Sequence, residues 1–188
     1  MPSLRDQLER CFRQRVCLMG VGNLAYGDGG FGIRLAEALI EMRQPPAASS
    51  PDDRFPPRKR QALRIVIAGT VPERFIGQVM QAGCDHLIFL DAVEFGAAPG
   101  SVAFLDAAAA IARFPQISTH KISLGTLAKY VESSGPAKAW LLGVQPESVS
   151  PGAGLSPAVR ETSKSLATLL GAIIAARTVA PPQTAIPC

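Results

Sequence analysis

The chain has 188 residues, of which 47% are hydrophobic and 18% are charged, and its net charge at pH 7 is +4. This composition predicts one globular domain over residues 1–188 and excludes a disordered chain. The basic residues form short clusters without interleaved aromatic residues, so we expect no nucleic acid among the partners.

The sequence also argues against a membrane protein. No run approaches the roughly 20 apolar residues of a membrane span. Residues 1–15 are charged and amphipathic, unlike a secretory signal. The four cysteines are scattered without a CxxC pair, so neither a disulfide framework nor a zinc knuckle is indicated. Together these features predict a cytoplasmic protein.

The first third of the chain alternates helix and strand. Ser3 is a candidate N-cap for an N-terminal helix within residues 1–14. The apolar run RVCLMGVG, residues 15–22, predicts a buried strand, and FGIRLAEALIEMR, residues 31–43, predicts a helix. The Pro- and Ser-rich insert at 44–60 is typical of an exposed connection.

The alternation continues to the C-terminus, where residues 178–188 form a tail. Strands are predicted at 63–69, 85–92, 100–106 and 137–147, and helices at 71–83, 123–135 and 156–177. Short apolar strands that alternate with helices are typical of a mainly parallel sheet covered on both faces. The predicted fold is therefore α/β, a three-layer sandwich with a five-stranded sheet flanked by helices.

The glycine-rich stretch GVGNLAYGDGGFG, residues 20–32, raises the question of nucleotide binding. A GxG between a strand and a helix is part of the dinucleotide fingerprint, in which glycines let phosphate approach a helix N-terminus. Here the third glycine is missing, the helix begins late, and no acidic residue ends the second strand. These departures disfavour a nucleotide site.

Parallel strands place their carboxyl ends, and therefore their following loops, at one edge of the sheet. Four loops should meet there, at residues 20–32, 69–73, 91–100 and 143–154. Asp91 ends a very apolar strand in this group. A carboxylate at such a position is either solvated, or paired or bound to a cation, because burying it alone is costly.

His120 precedes the predicted helix at 123–135. Alone it is compatible with a surface histidine or a neighbour of the helix. Together with Asp91 it would form an oxygen and imidazole pair suited to a divalent metal such as nickel or zinc. Two ligands seldom suffice, and Asp28 in the glycine-rich loop is the candidate third.

Five motifs in order resemble those of one family, the hydrogenase maturation endopeptidases, and most closely the branch that serves formate-hydrogenlyase-type hydrogenases. The resemblance covers about residues 16–177. It rests on GVGNLAYGDGGFG, AGTVPERF, FLDAVEFGAAPG, STHKISLGTL and LLGVQPESVSPGAGLSP.

This resemblance implies an α/β sandwich with a mainly parallel five-stranded sheet. It also implies a nickel-dependent endopeptidase that removes the C-terminal extension of a [NiFe] hydrogenase large-subunit precursor, with the nickel supplied by the precursor. Two of the family's metal ligands match Asp91 and His120, and Asp28, next to the unmatched first ligand, is the candidate third; these three are the predicted catalytic and metal-binding residues. The substrate-binding positions would be Asn23, Gly29, Gln145 and Pro146.

Two positions depart from the family pattern. The family loop reads N-x-x-x-x-D-[DE]-G-x-G, and Gly29 stands where its second acidic residue, the metal ligand, belongs. At the end of the second strand the family shows D-[GA]-G-[TS], whereas this chain has IAGT at residues 67–70. Two hypotheses follow: an active endopeptidase in which Asp28 reaches the metal, or a paralogue that binds the large subunit without cutting it, as an assembly chaperone or checkpoint.

Overall fold

The computed structural model describes residues 2–43, 63–113, 123–152 and 154–179. The insert at 44–60, His120 and the tail from residue 180 lie outside these ranges.

A five-stranded sheet forms the centre of the described structure, with strand order β2-β1-β3-β5-β4. Four strands are parallel, and β4 is antiparallel to β5. The sheet confirms the predicted α/β class and the predicted positions of the strands. The strands are β1 (Val16–Val21), β2 (Leu63–Gly69), β3 (His86–Ala92), β4 (Val102–Asp106) and β5 (Lys138–Val144).

Helices cover both faces of the sheet, which confirms the three-layer arrangement. One core cluster lies between the sheet and α1 (Leu4–Phe12), α2 (Phe31–Arg43) and α6 (Pro157–Val179). The other lies beneath α3 (Glu73–Gln81), α4 (Ala107–Arg113) and α5 (Leu124–Ser133). Because both faces are buried, β1 carries an uninterrupted run of buried residues.

Helix α4 is the element that the sequence pattern did not predict. Its sequence AAAAIAR has no polar and apolar periodicity from which to recognise a helix. Asp106 precedes it and accepts a hydrogen bond from the Ala109 N–H (2.7 Å), which satisfies one of the free donors of its first turn.

Helix α1 begins at the predicted N-cap, Ser3, which forms a capping box with Asp6. The Ser3 hydroxyl accepts a hydrogen bond from the Asp6 N–H, and the Asp6 carboxylate accepts one from the Ser3 N–H (3.0 Å). Leu8, Cys11 and Phe12 form its buried face. This face seals one end of the core against α6.

Side-chain contacts align the amino ends of the parallel strands. Arg15, just before β1, forms a bidentate ion pair with Asp85, just before β3, with N···O distances of 2.9 and 2.6 Å. The Trp140 indole N–H of β5 donates to His86 Nδ1 of β3 (3.0 Å). The loops that follow the parallel strands lie at the opposite, carboxyl edge of the sheet.

Among the described residues, none of the helices combines the length and apolar character that crossing a bilayer requires.

Candidate active site

The loops at the carboxyl edge of the sheet come together as the sequence predicts. Gly22, after β1, donates its N–H to the Gly69 carbonyl at the end of β2 (3.0 Å). Val93, after β3, donates to the Val144 carbonyl at the end of β5 (2.9 Å). Since β1 and β3 are paired, the four parallel strands present one continuous set of loops.

The loop after β1 requires glycine where backbones approach closely. Gly22 has φ +136°, and a Cβ there would lie 2.0 Å from the Gly29 carbonyl oxygen. A Cβ on Gly32 would lie 1.9 Å from the Leu90 carbonyl oxygen of β3. The glycines therefore fold this loop and bring the start of α2 against the end of β3, rather than forming a cradle for phosphate.

Asp28 lies in a short 3-10 turn, Gly27–Gly30, and is fully buried. Its Oδ2 accepts hydrogen bonds from the N–H groups of Glu147 (2.8 Å) and Ser148 (3.1 Å). Ser156 donates its N–H to Oδ1 (2.7 Å) and its hydroxyl to Oδ2 (2.9 Å). Both carboxylate oxygens are thus engaged by the segment that follows β5. A role as third metal ligand, which stays a prediction, would have to compete with these contacts.

Gly29, at the position of the family's acidic ligand, does not require glycine in this fold. Its φ is not positive. A Cβ there would lie 3.5 Å from the Tyr26 Cβ and 3.9 Å from Val149 Cγ1, which are ordinary van der Waals distances. Leu24, Tyr26 and Val149 nearby are 42–45% exposed, so the missing carboxylate leaves an apolar surface at this point of the edge.

Asn23, a predicted substrate-binding residue, closes its own turn. Its side-chain oxygen accepts a hydrogen bond from the Ala25 N–H (3.0 Å), and its carbonyl accepts one from the Tyr26 N–H (3.1 Å). This is an Asx-type turn, in which the side chain substitutes for a backbone acceptor.

Asp91 occupies the carboxyl end of β3, as predicted, and is 4% exposed. Its Oδ1 accepts a hydrogen bond from the Ala92 N–H (2.9 Å). A carboxylate in a nearly dry strand end, surrounded by loops, is a typical setting for a functional acidic group. Asp91 therefore marks the centre of the candidate site.

Gln145 is buried at the end of β5, and its side chain links two loops. Its Oε1 accepts from the N–H groups of Phe95 (2.8 Å) and Ala97 (3.3 Å). Its Nε2 donates to the Glu94 carboxylate (2.6 Å) and to the Pro146 carbonyl (3.2 Å). In this structure the Gln145 side chain holds the loop after β3, while Pro146 and the exposed residues after it form the rim.

His120 lies outside the described residues, so its position relative to Asp91 stays a prediction. Within the described ranges, no cluster of three or more His, Cys, Asp or Glu side chains is arranged to hold a metal ion. At the end of β2, Ile67 is 40% exposed where the family pattern has an acidic residue. The described part of the edge thus contributes Asp91 and Asp28 as its buried carboxylates.

The buried cysteines do not offer an alternative nucleophile. Burial raises the pKa of Cys17 to about 12 and that of Cys11 to about 11. Burial also raises the pKa of Cys84. Because the thiolate is the reactive form, these thiols are inert at neutral pH.

Two solved structures similar to this chain are described as hydrogenase maturation proteases. A [NiFe] hydrogenase maturation protease HycI from Thermococcus kodakarensis has a TM-score of 0.72 and 27% identity, covering 90% of this chain and 99% of its own. The hydrogenase maturating endopeptidase HybD from Escherichia coli has a TM-score of 0.63 and 30% identity, covering 87% of this chain and 91% of its own. This chain therefore shares its α/β fold with proteins described as hydrogenase maturation proteases.

Sequence comparisons show the family. The family model for hydrogenase maturation protease matches residues 33–173. The hydrogenase 2 maturation protease of Escherichia coli is 32% identical, covering 77% of this chain and 81% of its own length. The hydrogenase expression/formation protein HoxM of Azotobacter vinelandii is 31% identical, covering 86% of this chain and 76% of its own. The chain belongs to the hydrogenase maturation protease family, which confirms the resemblance and favours an endopeptidase over a paralogue that does not cut.

Sequence reasoning missed the contacts that Asp28 and Gln145 make. Glycine and aspartate are typical turn residues, so the stretch GDGG carries no signal that its carboxylate is buried. The partners of Asp28 lie 119–128 residues away in the sequence, so no local pattern could identify them.

Proposed function

We propose that this protein cuts the C-terminal extension from the large-subunit precursor of a [NiFe] hydrogenase, and that it recognises nickel already held by that precursor. The observation that carries the proposal is Asp91, a buried carboxylate at the carboxyl end of β3, where the loops of a protease fold converge. Membership of the maturation protease family supports the reaction type.

Asp91 and His120 are the proposed contacts to the precursor's nickel. A carboxylate oxygen and an imidazole nitrogen suit a borderline divalent ion, and the precursor would complete its coordination. A metal held beside a peptide bond can polarise the carbonyl or lower the pKa of a bound water. The reaction breaks the C–N bond and adds water, which gives a carboxylate on the large subunit and an amine on the released peptide.

The surface formed by Tyr26 and Val149 with the partly exposed Gly29 and Pro146 is the proposed path for the precursor's C-terminal segment. These four residues carry no charge, whereas Glu147, the residue after Pro146, adds an exposed carboxylate next to them. An extended peptide can use backbone hydrogen bonds along such an edge while its side chains rest on the apolar surface. We propose the cytoplasm as the location of the reaction.

The test is cleavage of a purified precursor, loaded with nickel or left without it, followed by mass spectrometry of the released peptide. We expect release only from the nickel-loaded precursor, with loss of release in Asp91→Asn and His120→Ala. Gly29→Glu is a further variant, because a Cβ at residue 29 makes only ordinary van der Waals contacts; a gain of cleavage would show that the missing carboxylate limits the wild type. Stable binding of the precursor without release by the wild type would support the non-cutting paralogue instead.

A further inference from the structure

The carboxyl edge contains one fully buried carboxylate, Asp28, that engages hydrogen-bond donors rather than facing the open site. Its four donors are three backbone N–H groups and one hydroxyl, all from the segment 147–156. A buried charge is tolerated only when it is satisfied in this way. The contact therefore joins the loop after β1 to the start of α6.

The first part of this segment, residues 147–150, belongs to the rim that begins at Pro146. Glu147, Ser148, Val149 and Ser150 are exposed, and Val149 lies beside residue 29. Two backbone hydrogen bonds accompany the carboxylate: Asp28 donates its N–H to the Ser148 carbonyl (3.0 Å), and Gly152 donates to the Ala25 carbonyl (2.9 Å). Asp28 and these two backbone hydrogen bonds therefore fix the position of the rim relative to the loop after β1.

Gln145 precedes this segment and fixes it to the loop after β3. The Gln145 backbone N–H donates to the Ser101 carbonyl (2.8 Å), and the Gln145 carbonyl accepts from the Gly100 N–H (2.9 Å). Together with the Gln145 side chain, these bonds make the segment after β5 the link between the loop that carries residue 29 and the loop that follows Asp91. Loosening its attachment at Asp28 would change the shape of the surface between them.

We propose that Asp28 is a positioning residue: through Ser156, Glu147 and Ser148 it holds the rim segment in the arrangement that accepts the precursor's C-terminal segment. This inference rests on the proposed function, and it assigns Asp28 a role through other residues rather than through the metal. It also gives the Asp28 carboxylate a role that does not require an acidic residue at position 29.

The test is a double-mutant cycle in precursor cleavage with Asp28→Asn, Ser156→Ala and the double variant. The asparagine amide would face backbone donors, so we expect the KM of Asp28→Asn to rise about tenfold, with a smaller change in kcat. Ser156→Ala should raise KM less, and the double variant should match Asp28→Asn, because both changes break the same contact. Fully additive effects would overturn the proposal.

Matched variants separate positioning from general loss of structure. Ser156→Thr keeps the hydroxyl, so its KM should equal that of the wild type. Thr168→Ala removes an exposed hydroxyl of α6 that donates to the Lys164 carbonyl, away from Asp28 and the rim, and its KM should be that of the wild type. If folded Asp28→Asn has wild-type KM and kcat, Asp28 has no positioning role.

Titration with Cd²⁺ alone separates positioning from metal ligation. We expect Asp28→Asn and Ser156→Ala to keep the wild-type affinity for Cd²⁺, whereas a loss confined to Asp28→Asn would make Asp28 a ligand and contradict the proposal. If the wild type does not cut the precursor but binds it, the proposed cleavage fails, and the same cycle is then read in the Kd of the complex. If the wild type neither cuts nor binds the precursor, both proposals are wrong.

Discussion

Gly22 and Gly29 belong to the same loop, yet only Gly22 occupies a position that excludes a side chain. Gly22 combines φ +136° with a backbone oxygen 2.0 Å from the site of a Cβ, whereas Gly29 has room for one. The sequence motif shows both as glycine in a glycine-rich stretch. The structural requirement is visible only when the loop is folded.

The two positions give a matched pair of variants. We expect Gly22→Ala to lower the free energy of unfolding by about 2 kcal/mol or more, because it adds both strain and a clash. Gly29→Ala should change it by no more than about 1 kcal/mol. Urea unfolding of both variants measures the difference, and equal losses would contradict the assigned backbone roles.

Residue-level prediction from sequence was uneven for a physical reason. Asp91 could be placed at the edge because strand direction alone determines where a strand ends. The hydrogen bonds of Asp28 and Gln145 depend on how distant loops meet, which a single sequence does not encode locally. The assignment of His120 as a metal contact stays a prediction.

The contact between β3 and β5 gives the molecule a built-in reporter. Trp140 is the only tryptophan in the chain, and its indole N–H donates to His86 Nδ1. Burial lowers the pKa of His86 from its ordinary value of 6.5, although the nearby Asp85 opposes this effect. The folded protein therefore favours the neutral imidazole, which can accept the hydrogen bond.

The sign of the resulting pH dependence follows from the lowered pKa. The stabilisation is present above pH 6.5 and decreases as the pH falls below that value, because the unfolded chain binds the proton more readily. We expect unfolding followed by Trp140 fluorescence to show this decrease between about pH 7 and about pH 5, and His86→Gln to reduce it. An unchanged pH dependence in His86→Gln would be the opposite result.

The ion pair that aligns β1 with β3 acts at lower pH. Its hydrogen bond from Arg15 lowers the pKa of Asp85 from 3.8 to about 2. Its stabilisation is therefore present above about pH 4 and is lost as the pH falls toward 2. Asp85→Asn should flatten the acid end of the stability curve.

The pair Arg5–Glu9 on α1 is the matched control for this prediction. Its side chains are 55% and 45% exposed, so the pair should contribute little. Glu9→Gln should leave acid stability close to that of the wild type. If it has as large an effect as Asp85→Asn, the ion pair before β1 and β3 has no special role.

At the level of elements, hydrophobic patterning was sufficient for the strands and for every predicted helix within the described residues. The short alanine-rich α4 was missed because it lacks periodicity and depends on Asp106 and on the surface beneath it. The antiparallel direction of β4 could not be read from its sequence either. In the structure β4 pairs with β5 in the antiparallel direction, at the edge of the sheet.

At the level of the whole molecule, the topology determines where chemistry can occur. The order β2-β1-β3-β5-β4 brings the carboxyl ends of four parallel strands together, and it places Asp91 near the middle of that edge. The chain belongs to a family of endopeptidases, and we propose that this edge is its catalytic site. Gly29 and Ile67, which stand where the family pattern has acidic residues, lie at this edge, and the fold forms without those two carboxylates.

The charge of Asp91 should be required for cleavage but not for folding. Asp91→Asn keeps the shape of the side chain and should lower kcat/KM by about a hundredfold or more, since a neutral amide is a poor partner for a metal cation. Circular dichroism should be unchanged. If Asp91→Asn has the wild-type kcat/KM, the assignment of Asp91 to the site is wrong.

The most direct measurement is incubation of the wild-type protein with a nickel-loaded hydrogenase large-subunit precursor, followed by mass spectrometry of the products. We predict release of one C-terminal peptide, no release from the nickel-free precursor, and no release by Asp91→Asn. A precursor that is bound by the wild-type protein but remains intact, with nickel present, would contradict the proposed activity.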